Sequence, residues 1–65
     1  MRIDTSSYEW WKHGKKPNGV GYYSFEVTYA NGKMITYSLH GDYEECLERV
    51  KEESKEKIIE IIVGI

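Results

Sequence analysis

The chain of 65 residues has one cysteine, one proline, one phenylalanine and two histidines, and no long apolar run. Each shortage closes a class of function. A lone Cys46 cannot form an internal disulfide, and small secreted domains rely on several, so a reducing cytoplasmic setting is expected. Nothing approaches the roughly 18 consecutive apolar residues of a membrane span. Met1 is followed by Arg2, Ile3 and Asp4 rather than by the apolar core of a signal peptide. The expectation is a soluble chain with no membrane partner.

Catalytic chemistry is short of parts as well. A nucleophile needs a base and an orienting acid beside it. Cys46, however, falls on the apolar stripe of an expected helix, where a thiol acts as a small hydrophobe. His13 and His40 are too far apart in sequence for the helical spacing that aims two imidazoles at one metal, so neither a metal site nor a cofactor is expected. Gly19-Val20-Gly21 resembles a fragment of a phosphate loop, but it leads into a strand and not into the helix whose amides would cradle the phosphate. Carboxylate neighbours such as Glu44/Glu45 and Glu52/Glu53 read as a solvated helix face. The chain is expected not to be an enzyme. A chain of this length buries only about 60% of its unfolded surface, so residues 1–65 are expected to form one domain with one core.

What is present is an uneven distribution of charge and of aromatic rings. Residues 1–33 carry five basic and three acidic side chains, and residues 34–65 carry four basic and eight acidic, for a net charge of −2. The acidic excess belongs to the helix and reads as solvated surface. Of the nine aromatic residues only Tyr43 lies beyond Tyr37.

The clearest pattern is period-two alternation, which marks half-buried strands. Tyr23, Phe25, Val27 and Tyr29 alternate with Tyr22, Ser24, Glu26 and Thr28, and Ile35, Tyr37 and Leu39 alternate with Met34, Thr36, Ser38 and His40. The two runs form a hairpin, and loop length decides which side chains share a face. A two-residue Asn31-Gly32 loop would split the apolar set between both faces. A three-residue loop, Ala30 to Gly32, sets Val27 against Ile35, Phe25 against Tyr37 and Tyr23 against Leu39, all on one face. The turn is then type I followed by Gly32 in the left-handed conformation.

A helix follows, starting near Asp42, with Tyr43, Cys46, Leu47 and Val50 as its apolar stripe and Glu45 three residues after the cap. Nothing between 51 and 57 marks its end. The β-branched run Ile58 to Val63 favours a strand, although Ile58, Ile61, Ile62 and Ile65 also suit a continued helix. An uncovered Ile58–Val63 edge would pair with a second copy as a homodimer. Residues 7–12, with Tyr8, Trp10 and Trp11, read as a first strand that splits the tryptophans between its faces. Lys16 to Gly19 reads as a type I turn around Pro17. The expected fold is α+β in the order β-β-β-α-β: a small antiparallel sheet of three to four strands with one helix on its apolar face.

The helix start Gly41-Asp42-Tyr43-Glu44-Glu45-Cys46-Leu47, within that layout, resembles the partial ribonuclease-H-like domain of HicB-type antitoxins. The resemblance covers one helix start and an inferred element order. The family's proline-containing motif before the helix and its DNA-binding tail are missing, so its function is not transferred.

One sheet face absorbs Tyr23, Phe25, Tyr29 and Tyr37 as core. Tyr22 and one tryptophan are left over, beside a basic loop. Two readings compete for them. In the first, Trp10, Trp11 and Tyr22 anchor a larger protein partner, with Lys12, His13, Lys15, Lys16 and His40 as rim and steering residues. The module would then act as an inhibitor or modulator. In the second, the same rings stack on single-stranded nucleic acid while the lysines hold phosphates. The net acidity of the chain and its few cations favour the protein partner.

Overall fold

The computed structural model describes residues 1–65 as six elements: β1 (Arg2–Asp4), α1 (Ser6–Trp11), β2 (Val20–Tyr29), β3 (Met34–Asp42), α2 (Tyr43–Glu53) and β4 (Ile58–Gly64). The fold is α+β, as expected, with a four-stranded sheet in the order β1-β4-β2-β3. The element order is β-α-β-β-α-β. This differs from expectation at the N-terminus, and it removes the layout on which the resemblance to the antitoxin domain rested. The sheet is mixed: β2 runs antiparallel to both β3 and β4, while β1 runs parallel to β4.

The hairpin has the expected register. Val27 faces Ile35, Phe25 faces Tyr37, Tyr23 faces Leu39, and on the other face Tyr22 meets His40. The Gly32 amide donates to the Tyr29 carbonyl at 3.0 Å and the Tyr29 amide to the Lys33 carbonyl at 2.9 Å, closing the three-residue loop. Gly32 takes a φ of +88°, which a side chain would strain.

From β3 the chain enters α2 through Gly41, at a φ of +151°, and Asp42 then caps the helix by accepting the Glu45 amide at 3.3 Å. α2 ends without glycine or proline. Ser54 leaves helical geometry, its hydroxyl donates to the Val50 carbonyl at 2.8 Å, and it lies 3.2 Å from the Tyr29 hydroxyl, which donates to it in turn. Because β3 and β4 both oppose β2, α2 must carry the chain across β2 between them. Its stripe of Tyr43, Cys46, Leu47 and Val50 is thereby pressed onto the sheet.

Residues 58–63 form a strand, but not at an edge. β4 lies between β1 and β2, with Glu60, Ile61 and Ile62 paired on both sides. The strand reading of residues 58–63 therefore holds, with β1 covering its outer side at Glu60 to Ile62. Ile61 and Val63 face inward and are fully buried with Phe25, Val27 and Val50. One layer of side chains between sheet and helices makes the core. The opposite face of the sheet carries no covering element.

A further correction concerns residues 7–12. Tyr, Trp and Trp favour a strand by propensity, yet Asp4, Thr5 and Ser6 form a helix start. The Asp4 carboxylate accepts both the Ser6 amide (2.9 Å) and the Ser6 hydroxyl (2.7 Å), and the Thr5 hydroxyl donates to Glu9 at 2.7 Å. Residues 6–11 therefore coil into α1. No hydrogen-bonded turn forms at Lys16 to Gly19 either. That stretch is held by the Tyr23 hydroxyl, which donates to the Asn18 (3.0 Å) and Gly19 (2.7 Å) carbonyls.

Candidate partner-binding surface

α1 turns one ring into the core and two out. Tyr8 is buried and stacks on Tyr23 with ring centres 5.6 Å apart; Tyr23 in turn meets Tyr43 at 5.3 Å, joining α1, β2 and α2 through one aromatic column. At 3.6 residues per turn, Trp10 and Trp11 lie about 200° and 300° round the axis from Tyr8. Trp10 thus points away from Tyr8, while Trp11, only about 60° from it, stands at the margin of the core face, and neither is buried. Trp10 is 75% exposed and Trp11 60%. The expectation that a strand would put one of them inside is corrected by the helix, which puts both outside. They rest on each other edge to face, ring centres 5.0 Å apart at 88°.

The end of α1 fixes the basic residues. The Lys12 amide donates to the Tyr8 carbonyl (3.0 Å) and the Gly14 amide to the Glu9 carbonyl (2.7 Å), which closes the helix with a wrapped C-terminal turn. His13 occupies the left-handed position of that turn at φ +55°, where glycine is usual. The chain accepts this cost two residues after Trp11. Beyond it, Lys12, Lys15 and Lys16 converge with Tyr8 and Asn18 around an open concavity of about 550 Å³. No acidic side chain lines it or pairs with these lysines.

Six of the expected site residues, Trp10, Trp11, Lys12, His13, Lys15 and Lys16, thus gather on α1 and the loop that leaves it. Tyr22 and His40 form a second patch. They sit opposite each other on the uncovered sheet face, ring centres 4.4 Å apart, and Tyr22 is 73% exposed. With Ser24, Ser38, Leu39 and Ile65 they border a shallow groove of about 330 Å³, mostly apolar. The two patches share no lining residue. Asn18 and Ile65 are additions from the structure. Asn18 reaches the lysine concavity because Tyr23 tethers its carbonyl. Ile65 meets the groove because β4 is central, which its position after an isoleucine run does not announce.

Four titratable groups have displaced pKa values. Burial raises the Tyr23 phenol, helped by the neighbouring Tyr8. Burial likewise raises Tyr43, with Glu44 adding to it. Tyr37 is raised first by the adjoining Tyr29 phenol and then by burial. The Asp4 carboxyl is lowered by its hydrogen bonds from Ser6. No three His, Cys, Asp or Glu side chains converge where a metal could be held, and no helix is long and apolar enough to cross a membrane. The surface offers rings, ammonium groups and hydrogen-bond donors. No protein-family model matches the chain, and neither a curated protein nor a solved structure is detectably similar to it.

Proposed function

We propose that this chain is a non-catalytic, cytoplasmic binding module that engages a larger protein through the Trp10/Trp11 wedge and its lysine rim. The observation that carries the reading is the exposure of two adjacent tryptophans on a helix whose inward position is already filled by Tyr8. Rings left in water at such a site cost solubility and return nothing to the core. Tryptophan is also the residue most enriched among binding hot spots. Lys12, Lys15 and Lys16 suit a partner whose apolar pocket is rimmed by carboxylates, and would speed encounter with it. A module this small, with no reaction of its own, acts by occupying a partner's surface, as an inhibitor or modulator does.

Single-stranded nucleic acid is the second reading, and the ring geometry argues against it. Bases stack on flat, open ring faces. Here the two indoles meet nearly at right angles and present an edge and a wedge. The uncovered sheet face carries Asp4, Glu26 and Glu60 against the single cation Arg2, which pairs with Asp4 and Glu60, so it offers no basic track for phosphates.

The test uses the whole chain immobilised beside its Trp10→Ser/Trp11→Ser variant, together with fluorescent single-stranded DNA and RNA titrated at low and moderate salt. The expected result is a protein captured by the parent chain and lost with the double variant, with slower capture after Lys15→Glu/Lys16→Glu. Salt-sensitive oligonucleotide binding that disappears with the tryptophans would overturn the reading in favour of nucleic acid.

A further inference from the structure

The two edges of the sheet are unlike. β1 is three residues long, and on the uncovered face it carries Arg2 and Asp4, paired with each other at 3.5 Å while Arg2 also reaches Glu60 at 3.8 Å. Short length and charge are the usual protections of an edge. β3 has neither. It runs nine residues, Met34–Asp42, in unbroken register with β2, and from Met34 to Leu39 it holds no proline, lysine, carboxylate or bulge.

Its outward backbone groups can be assigned. The Tyr29 amide bonds the Lys33 carbonyl, and in an antiparallel ladder bonded pairs alternate, so Ile35, Tyr37 and Leu39 direct their backbone groups to β2. Met34, Thr36, Ser38 and His40 therefore present their N–H and C=O groups to the outside. Beside this free ladder the apolar face is unfinished: Ile35 is 45% exposed, and Tyr37 and Leu39 are only half-buried at the margin of the core.

We propose that β3 pairs antiparallel with β3 of a second copy, about a two-fold axis at Tyr37, joining two four-stranded sheets into one. The occupant is a copy of this chain because the edge complements itself. The run Met34 to His40 precedes Gly41, whose φ of +151° departs from ordinary strand geometry though it stays paired with β2, and Tyr37 is the midpoint of that run. Pairing about that point sets Ile35 against the partner's Leu39 and Tyr37 against the partner's Tyr37 on the core face. Thr36 meets the partner's Ser38, and Met34 the partner's His40, as hydrogen-bonded pairs. The outward backbone groups then all find partners, no two like charges stand opposite each other, and the half-covered Ile35 and Leu39 finish each other's cover. This surface lies apart from the tryptophan wedge, so the inference stands or falls independently of the proposed function.

Sedimentation of the full chain from about 10 µM to about 1 mM, the range in which weak association is read, tests it. The expected result is a mass rising from 7.7 kDa toward twice that value. Ser38→Pro removes an outward N–H that β2 does not use, and proline is tolerated on the open side of an edge strand. This variant is expected to keep its far-UV circular dichroism and remain a monomer. The register has its own test, which does not depend on proline being accepted. Thr36→Lys/Ser38→Lys brings lysine opposite lysine and is expected to be monomeric, whereas Thr36→Lys/Ser38→Glu brings lysine opposite glutamate and is expected to dimerise at least tenfold more tightly than the lysine pair. A mass constant at 7.7 kDa throughout would overturn the proposal and leave a foreign strand as the edge's occupant. A dimer unaffected by folded Ser38→Pro, or lysine–lysine and lysine–glutamate variants that associate alike, would overturn it too.

Discussion

Tyr8 and Trp10 stand two residues apart in one short helix and have opposite fates. Tyr8 is buried against Tyr23 and so welds α1 to the sheet, whereas Trp10, with Trp11 beside it, remains in water. Residue type does not explain the difference, since indole is the larger hydrophobe and gains more by burial. Position does: Tyr8 is the one residue of α1 that the sheet buries. The comparison separates aromatic rings that hold the molecule together from rings that the fold can spare, and only the second kind is available to a partner.

Substitutions on the buried side are expected to have the largest effect. Phe25→Ala and Tyr8→Ala each remove a large ring from a close-packed site and are expected to cost about 3–5 kcal/mol. That is a large share of the stability of any small domain. Urea denaturation followed by circular dichroism is expected to show Phe25→Ala largely unfolded without denaturant. Tyr8→Ala should fold with a much lower midpoint and a freed α1. A Tyr8→Ala variant as stable as the parent would show that α1 is not welded by this ring.

Three tyrosines of the core and its margin also predict a response to alkali. Tyr23, Tyr37 and Tyr43 have phenols raised above their ordinary value by burial or by a neighbouring phenol. The folded chain therefore holds these protons at a pH where the unfolded chain has lost them. Their contribution is fully present below about pH 10, the unfolded phenol's range, and is lost as pH rises through the folded values. Tyrosinate absorbance and circular dichroism recorded together are expected to show a fraction of the phenols ionising only as the fold is lost. Ionisation of every tyrosine before any loss of structure would contradict this.

Much of the sheet and α2 was legible in the sequence because their signals agree with one another. Alternation, loop length and the glycine at position 32 all point to one hairpin register, and Asp42 with the stripe from Tyr43 to Val50 points to one helix. The end of α2 was not legible, since it depends on the Ser54 hydroxyl reaching Val50 and Tyr29, a contact formed only on folding. Nor was the central place of β4, which is decided by Arg2, Ile3 and Asp4 pairing from the far end of the chain. In α1 two local signals conflict. Tyr8, Trp10 and Trp11 favour a strand, Asp4 to Ser6 favour a helix start, and the Ser6–Asp4 and Thr5–Glu9 hydrogen bonds of the first turn prevail. The candidate site residues stand out by type, as rings and cations in excess of the core's needs. Their grouping was only partly legible, because the strand reading divided the tryptophans and gave no reason to separate Tyr22 and His40 from the lysine loop.

The central claim is that Trp10 and Trp11 contribute little to the fold. It is tested most directly by the denaturation midpoint of Trp10→Ser/Trp11→Ser against the parent chain, read by far-UV circular dichroism. Serine has nearly the helix propensity of tryptophan, so the comparison isolates the rings. The account predicts a loss of less than about 1 kcal/mol, as for exposed positions generally. A loss of about 3 kcal/mol or more, on the scale of a buried aromatic ring, would contradict it and make the tryptophans part of the core's support.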